Sequence, residues 1–392
     1  MKVGEKWLIA VCVGGCVGVA HAQSSVTLYG VFDQGVLAVT NVHGAHVYQS
    51  SGGWLSGSRW GLRGAEDLGG GAQAIFVLEN GFDGSTGAAL QGARQFGRQA
   101  YVGLSNSYGK LTFGRQYDMV VDHLAVTGMT AEIWGGAFAC SPGDVDNLCN
   151  SRRMDNSVKY SSPSFGGFSF GSAYSFGGVP GELSRSSIWT AGADYSNGSL
   201  TGGVGYFNVN SPNTASYGGA AVSGTANTFT NGMSSSPVIS GFASANRQET
   251  LAAGVNYTIG SSTFGASYTY TRFDGLGTFA VAGTPVLNGT AKVQNAEARY
   301  FIYVTPFLVT GIAFHYTAVG AAGSIAGARY RQLDLGVNYY LSKRTTLYAV
   351  LAMQSANGQD STGKPAVAAL AFVSPSSSNH QAAAQIGIRH RF

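Results

Sequence analysis

Gln332-Leu333-Asp334-Leu335-Gly336-Val337-Asn338-Tyr339-Tyr340-Leu341 alternates with period two. Leu333, Leu335, Val337, Tyr339 and Leu341 share one face; Gln332, Asp334, Gly336 and Asn338 share the other. Successive side chains of a β-strand point to opposite sides, so the stretch is a strand with one apolar and one polar face. A run of about ten such residues, apolar outward and polar inward, is the unit of a transmembrane β-barrel. The end of the chain repeats the pattern. Ile386, Ile388, His390 and Phe392 lie on one face, and Gln385, Gly387, Arg389 and Arg391 on the other.

The same alternation gives sixteen candidate strands, near 24–40, 57–67, 71–83, 97–105, 109–117, 155–162, 167–177, 187–196, 199–209, 246–259, 262–273, 291–304, 306–318, 328–341, 345–355 and 380–392. Seven connections are short and rich in Gly, Pro, Asn and Ser, as at Asn197-Gly198 and Gly260-Ser261. Eight are long: 41–56, 84–96, 118–154, 178–186, 210–245, 274–290, 319–327 and 356–379. Short turns on one rim, long loops on the other and an even strand number define an all-β, 16-stranded antiparallel transmembrane barrel. Loop 210–245 is Ser-, Gly- and Ala-rich and reads as mobile. Ala72–Phe82 is apolar on both faces, as a buried soluble strand would also be.

Composition agrees. Charged residues are 11% and aromatics 12%, with 58 glycines, which suits a lipid-facing surface with aromatic girdles. A net charge of +4 is too mild to imply nucleic acid. Residues 1–22 read as a secretory signal peptide: Lys2 and Lys6, the apolar run Trp7–Val19, then Ala20-His21-Ala22. Cleavage there leaves Gln23–Phe392 as the barrel domain. Two of the four cysteines leave with the signal. Cys140 and Cys149 remain, and in an exported chain a disulfide between them forms and persists. Metal binding is the alternative, but no Cys/His cluster of ligand spacing accompanies them.

Tyr117–Met154 is the longest break in the alternation in the first half. It carries Asp118, Asp122, Glu132, Asp144 and Asp146. A loop of this length is functional or disordered. A sixteen-strand barrel leaves an aqueous lumen, so discrimination between solutes needs a constriction, here this loop folded inward. Rings of charged side chains set ion preference. Arg59 and Arg63, Arg98, Arg115, and Arg152 or Arg153 lie on or beside consecutive strands. A lone arginine would be a rim or headgroup contact; several around one acidic loop point to a pore.

Ser58-Arg59-Trp60-Gly61-Leu62-Arg63-Gly64, Tyr101-Val102-Gly103-Leu104, Leu111-Thr112-Phe113-Gly114-Arg115-Gln116, Asn156-Ser157-Val158-Lys159-Tyr160, Val26-Thr27-Leu28-Tyr29-Gly30 and Gly387-Ile388-Arg389-His390-Arg391-Phe392 resemble the trimeric general porins of the Gram-negative outer membrane, nearest the β-proteobacterial branch. The resemblance covers essentially the whole mature chain. It implies a homotrimer whose third loop enters the lumen, with wall arginines facing loop carboxylates. Carried over, the constriction consists of Arg59, Arg98, Arg115, Arg153 and Glu132, with Arg63, Arg152, Asp118 and Asp122 as possible further lining. Glu132 precedes Ile133-Trp134-Gly135-Gly136, where the family has Pro-Glu-Phe-Gly-Gly; Ala131 replaces the proline and one residue is added. Residues 127–130 carry no second acid, so the balance tilts positive and weak anion preference is expected. Phe392 resembles the assembly signal read by the barrel-assembly machinery. Lipopolysaccharide and other outer-membrane lipids are the implied surroundings, and ions and small hydrophilic solutes the implied cargo. No cofactor or metal is expected.

Two other functions remain on the residues alone. A substrate-specific anion channel would show converging lysines, and the mature chain has few (Lys110, Lys159, Lys292, Lys343, Lys364). A barrel enzyme would show a catalytic set. Gly167-Phe168-Ser169-Phe170-Gly171 matches the nucleophile-elbow pattern, but that motif needs a strand-to-helix turn and here falls mid-strand.

Overall fold

The structure, a computed structural model, describes residues 25–124, 134–223, 225 and 228–392. The signal peptide expected at 1–22 and Glu132, expected at the constriction, lie outside the described residues.

Sixteen antiparallel strands form the wall. They are β1 Ser25–Val42, β2 Arg59–Gly69, β3 Ala72–Gly81, β4 Gln99–Asn106, β5 Gly109–Gln116, β6 Met154–Ser161, β7 Phe168–Ser175 and β8 Ile188–Asn197, then β9 Leu200–Asn210, β10 Arg247–Ile259, β11 Ser262–Leu276, β12 Gly289–Thr305, β13 Leu308–Val319, β14 Ala328–Tyr340, β15 Thr345–Gly358 and β16 His380–Arg391. Each pairs with its chain neighbour, and β1 closes on β16 from Val31↔Arg391 to Val39↔Ala383. The closure hides both sheet edges. Phe392 finishes the seam: its N–H and C=O exchange bonds with Gly30, each 3.1 Å. Its ring covers Gly30, where a Cβ would lie 2.2 Å from a ring carbon.

Alternation holds as the sequence implies. The outward residues Val26, Val36, Leu251 and Ile386 are 56–71% exposed. Their chain neighbours face the lumen. Long connections gather on one rim and short turns on the other.

Two connections depart from expectation. The long loop expected at 41–56 is instead a tight turn at His43-Gly44, both at positive φ (49° and 100°), as a two-residue hairpin turn requires. The turn leads into an extra strand, Ala45–Gly52, paired with the upper half of β1 while β2 pairs with the lower half. Between them, residues 53–58 leave the wall and fold inward. The buried carboxylate of Asp33 holds them, accepting the Leu55 N–H at 2.8 Å and the Ser56 N–H at 2.7 Å.

Loop 210–245, read as mobile, is packed along its second half. Val238, Ile239 and Phe242 are 0–2% exposed and sit in one cluster with Phe273, Ala291 and Val293 on the inner faces of β11 and β12. Ser361 fastens it, donating to Pro237 O at 2.6 Å and accepting from the Gly241 N–H at 2.8 Å. A handful of apolar anchors outweighs a mobile-looking composition, because each buries area worth about 1.5–3 kcal/mol.

Candidate channel constriction

The third long loop, 117–153, leaves β5 and turns at once into α1, Met119–Leu124. Asp118 starts the helix, accepting the Val120 N–H at 2.8 Å and the Val121 N–H at 3.1 Å, as an N-cap does. The helix lies flat on the inner wall of β7–β9 because glycines there leave room for it. A Cβ on Gly192 would fall 2.8 Å from His123 Cδ2 and from Met119 O; on Gly203, 2.3 Å from His123 O; on Gly205, 2.9 Å from Leu124 Cδ1. Gly171 makes the same room for the Met119 sulfur.

Where the described loop resumes, it is seated on another sector of the wall. Trp134 is 1% exposed over Gly311 on β13 and Gly336 on β14, which are cross-strand partners. A Cβ on Gly311 would stand 2.4 Å from the indole. The described parts of the loop thus sit on two separate sectors of the inner wall, β7–β9 and β13–β14. It returns beside the inward segment 53–58. Ala137 N–H donates to Trp54 O at 2.6 Å, and the Trp54 and Phe138 rings lie 4.4 Å apart. Cys140 and Cys149 are disulfide-bonded, Cα atoms 5.8 Å apart.

The described loop carboxylates are spent on docking and wall contacts. Asp144 accepts the Cys149 N–H at 3.0 Å and the Ser151 N–H at 3.1 Å. Asp146 accepts from Ser141 (2.9 Å), Thr269 (2.8 Å) and Asn295 (2.9 Å). Asp122 pairs with Lys159 on β6. Asp118 is buried, and Asn147 Nδ2 also donates to it at 2.6 Å. Burial raises the Asp118 carboxyl to about 6 despite these donors. Arg152 is buried in the loop's base, its guanidinium 4.4 Å over the Tyr217 ring and donating to Asp144 O at 2.5 Å. Asp118 and Arg152 thus stand outside the passage.

The passage beside the loop is a cavity of about 1240 Å³, lined among others by Trp54, Arg59, Glu79, Arg98, Tyr117 and Arg153. Three of the expected arginines therefore meet there, and two of them, Arg59 and Arg98, share a wall carboxylate. Glu79, at the upper end of β3, is 2.7 Å from Arg98 Nε and 3.9 Å from Arg59 Nε. Tyr29 donates to it at 2.9 Å. The Tyr117 hydroxyl accepts from Arg98 at 2.9 Å and donates to Glu79 at 2.8 Å. The same ring separates two cations, with Arg153 Cζ 5.5 Å and Arg98 Cζ 5.8 Å from its centroid. Burial, then the charge of Arg98, lowers Arg153 to about 10, which leaves it cationic at neutral pH. Arg115 sits where β5 bulges against β6, which re-aims its side chain. It donates to Gly97 O at 2.8 Å and pairs with Asp155, which also takes Arg94 at 2.8 Å. Arg63, one step toward the short-turn rim, is exposed and 5.4 Å from the Tyr29 ring centre.

Glu79, Tyr117 and Asp155 went unread in the sequence. Glu79 had a signal: it lies on the inward face of β3, across the ladder from Gly61, beside the strand that carries Arg59. Ser169 donates to Asp194 at 2.7 Å, and His123 Nδ1 meets the same carboxylate oxygen. The serine therefore bonds the acid and not the imidazole, unlike a hydrolase triad.

Residues 9–359 match the model of a family described as Gram-negative porin. The chain belongs to that family. It is an outer-membrane porin of a Gram-negative bacterium. Over 238 residues it is 37% identical to an outer membrane porin protein of Bordetella pertussis, spanning 54% of this chain and 61% of that one, just under two thirds. It is 29% identical over 401 residues to outer membrane porin protein 32 of Delftia acidovorans, spanning 99% of this chain and all of that one. The anion-selective porin from Comamonas acidovorans has the same fold, with a TM-score of 0.70 and 24% identity over 94% of this porin and all of that chain.

Proposed function

We propose that this porin is a water-filled diffusion channel for ions and small hydrophilic solutes with a weak preference for anions. The observation that carries this is the charge imbalance at the cavity: Arg59, Arg98 and Arg153 line it against Glu79 of the wall and Asp83 of the rim loop. The neighbouring groups lean the same way, with Arg94 and Arg115 sharing the single carboxylate of Asp155, while Lys159 and Asp122 balance each other. Fixed charges of one sign beside a narrow aqueous path raise the local concentration of counter-ions. A passing anion exchanges water for guanidinium donors and leaves without any bond made or broken, so the chain acts as a channel and not as an enzyme. The name of the Comamonas protein supports the sign. The test is a zero-current potential in planar bilayers under a KCl gradient. An anion-selective potential supports the assignment; a cation-selective one ends it.

The constriction roles of Arg59, Arg98, Arg115 and Arg153 belong to this proposal, together with that of Glu132. Homotrimeric assembly is proposed with it, supported by the outward face of β1, which carries no charged residue from Val26 to Thr40. Native mass of the detergent-extracted protein tests it; a monomer would overturn it.

A further inference from the structure

The cavity beside the constriction loop is not polar all round. Its charged lining, Arg59, Glu79, Asp83, Arg98 and Arg153, lies at or beside the upper ends of wall strands. Other parts of the lining are apolar: Trp54, Leu90, Leu148 and Phe372. The lumen of a diffusion barrel is ordinarily polar, so apolar groups on the passage need a reason. Two of them are open to solvent, Leu90 at 40% and Phe372 at 56%. The stretches that carry them, 84–93 and 365–379, hold no Asp, Glu, Lys or Arg.

Phe372 is fixed in this position. Its backbone is left-handed (φ 59°), a conformation that a large side chain rarely adopts. The residues before it are pinned to the inner wall. Ala369 N–H donates to Gln354 Oε1 at 2.6 Å and Leu370 N–H to Gln381 Oε1 at 3.1 Å. The Leu370 side chain is buried in one cluster with Trp54, Leu55 and Phe138. Gln91, beside Leu90, also lines the cavity and is also left-handed (φ 53°). Backbone strain of this kind persists only where the surrounding structure imposes it, and it gathers at ligand sites. Leu370 is buried while Phe372, two residues on, keeps its ring on the passage.

We propose that the passage contains a subsite for aromatic monocarboxylates, with the ring against Phe372 and Leu90 and the carboxylate on the arginine cluster. This rests on the reading of the chain as an anion-preferring channel and names the anion that the channel suits. The planar guanidinium fork meets a carboxylate with two parallel N–H donors. An aromatic ring gains an offset or edge contact with Phe372 and leaves water as it does so. A hydrophilic acid of the same size gains only the charge contact. Both contacts are made at a partly exposed surface, so the solute is held weakly enough to leave again, as conduction requires.

The test uses the full chain in planar bilayers. Benzoate, threonate (a hydrophilic carboxylate with the same number of non-hydrogen atoms) and uncharged benzamide are titrated against the chloride conductance. The zero-current potential under a KCl gradient is read in the same membranes. Benzoate is expected to halve the conductance at about one tenth of the threonate concentration, a gap of about 1.4 kcal/mol. Benzamide is expected to block no better than threonate. F372S and, separately, L90S are expected to bring the benzoate and threonate titrations together. The comparison of solutes on the unaltered protein stands whether or not either variant folds. Equal block by benzoate and threonate beside an anion-selective potential overturns the subsite and leaves the channel reading in place. A benzoate advantage that persists in both variants puts the apolar contact elsewhere and also overturns it. A cation-selective potential removes the reading on which the subsite rests, and the subsite with it.

Discussion

Glu79 Oε1 lies 2.7 Å from Arg98 Nε, on the wall and not across the lumen. Arg59 and Arg98 are thus held laterally by a strand carboxylate, while the described acids of the loop are engaged within the loop or with the wall. The side chains of Glu79 and Arg98 are only 5% and 13% exposed, and separating such a pair by deleting one partner costs about 3–5 kcal/mol.

Glu79→Gln removes the one carboxylate that lines the cavity from the wall. Anion preference is expected to rise and the zero-current potential to move toward the chloride limit, with a loss of thermal stability. A potential that does not move would show that Glu79 is electrically silent.

Arg59→Ala with Arg98→Ala acts in the opposite sense. The anion preference is expected to fall or reverse, while conductance in concentrated KCl changes little because screening is then short-ranged. An unchanged reversal potential would take these two residues out of the constriction.

Gly311→Leu puts a side chain where the Trp134 indole lies, 2.4 Å from the position of its Cβ. The loop's far anchor is expected to lift, giving noisier and larger conductance steps and faster proteolysis within 117–153. Trp134→Ala should do the same, with the loss of a buried aromatic worth about 3–5 kcal/mol. Quiet wild-type steps in both variants would mean that the loop is held without this anchor.

Asp118 has a folded value of about 6 against 3.8 for a free carboxyl, raised by burial. Its protonated form therefore favours the fold. That contribution is complete below 3.8 and is lost as pH rises through 6. Two pH units of displacement correspond to about 3 kcal/mol. The loop should resist protease better at about pH 5 than at about pH 7.5, and Asp118→Asn should flatten the difference. A variant with the full wild-type pH dependence would place its origin elsewhere.

Reduction of Cys140–Cys149 opens a closed segment of the loop with a sequence separation of 9. Such a crosslink restrains the open chain by about 3 kcal/mol. Dithiothreitol or Cys140→Ser is expected to increase open-channel noise while leaving the barrel's melting unchanged. Free thiols in unreduced, denatured protein would contradict the bond.

The barrel was legible because period-two alternation is imposed by the wall at every step, and Gln332–Leu341 shows it without ambiguity. The arginine positions were legible because charge on an inward face is costly unless used. Three things were hidden. The inward segment 53–58 depends on Asp33, a single carboxylate satisfied by backbone groups more than twenty residues away. The packing of loop 210–245 rests on Val238, Ile239 and Phe242, scattered in a polar composition. The partner of the arginines, Glu79, is visible only once the register of β2 and β3 is fixed. Glu132 was named from a motif with one residue added.

Gly171, Gly192, Gly203 and Gly205 are far from the constriction loop in sequence, yet they set its contour. The helix and its glycine bed are one cassette. Transplanting residues 117–153 into another barrel of this shape, without those four bare positions, would leave the graft standing off the wall and the bore misaligned. Any attempt to reprogram the permeability of such a scaffold by loop exchange should therefore carry the bed along with the loop.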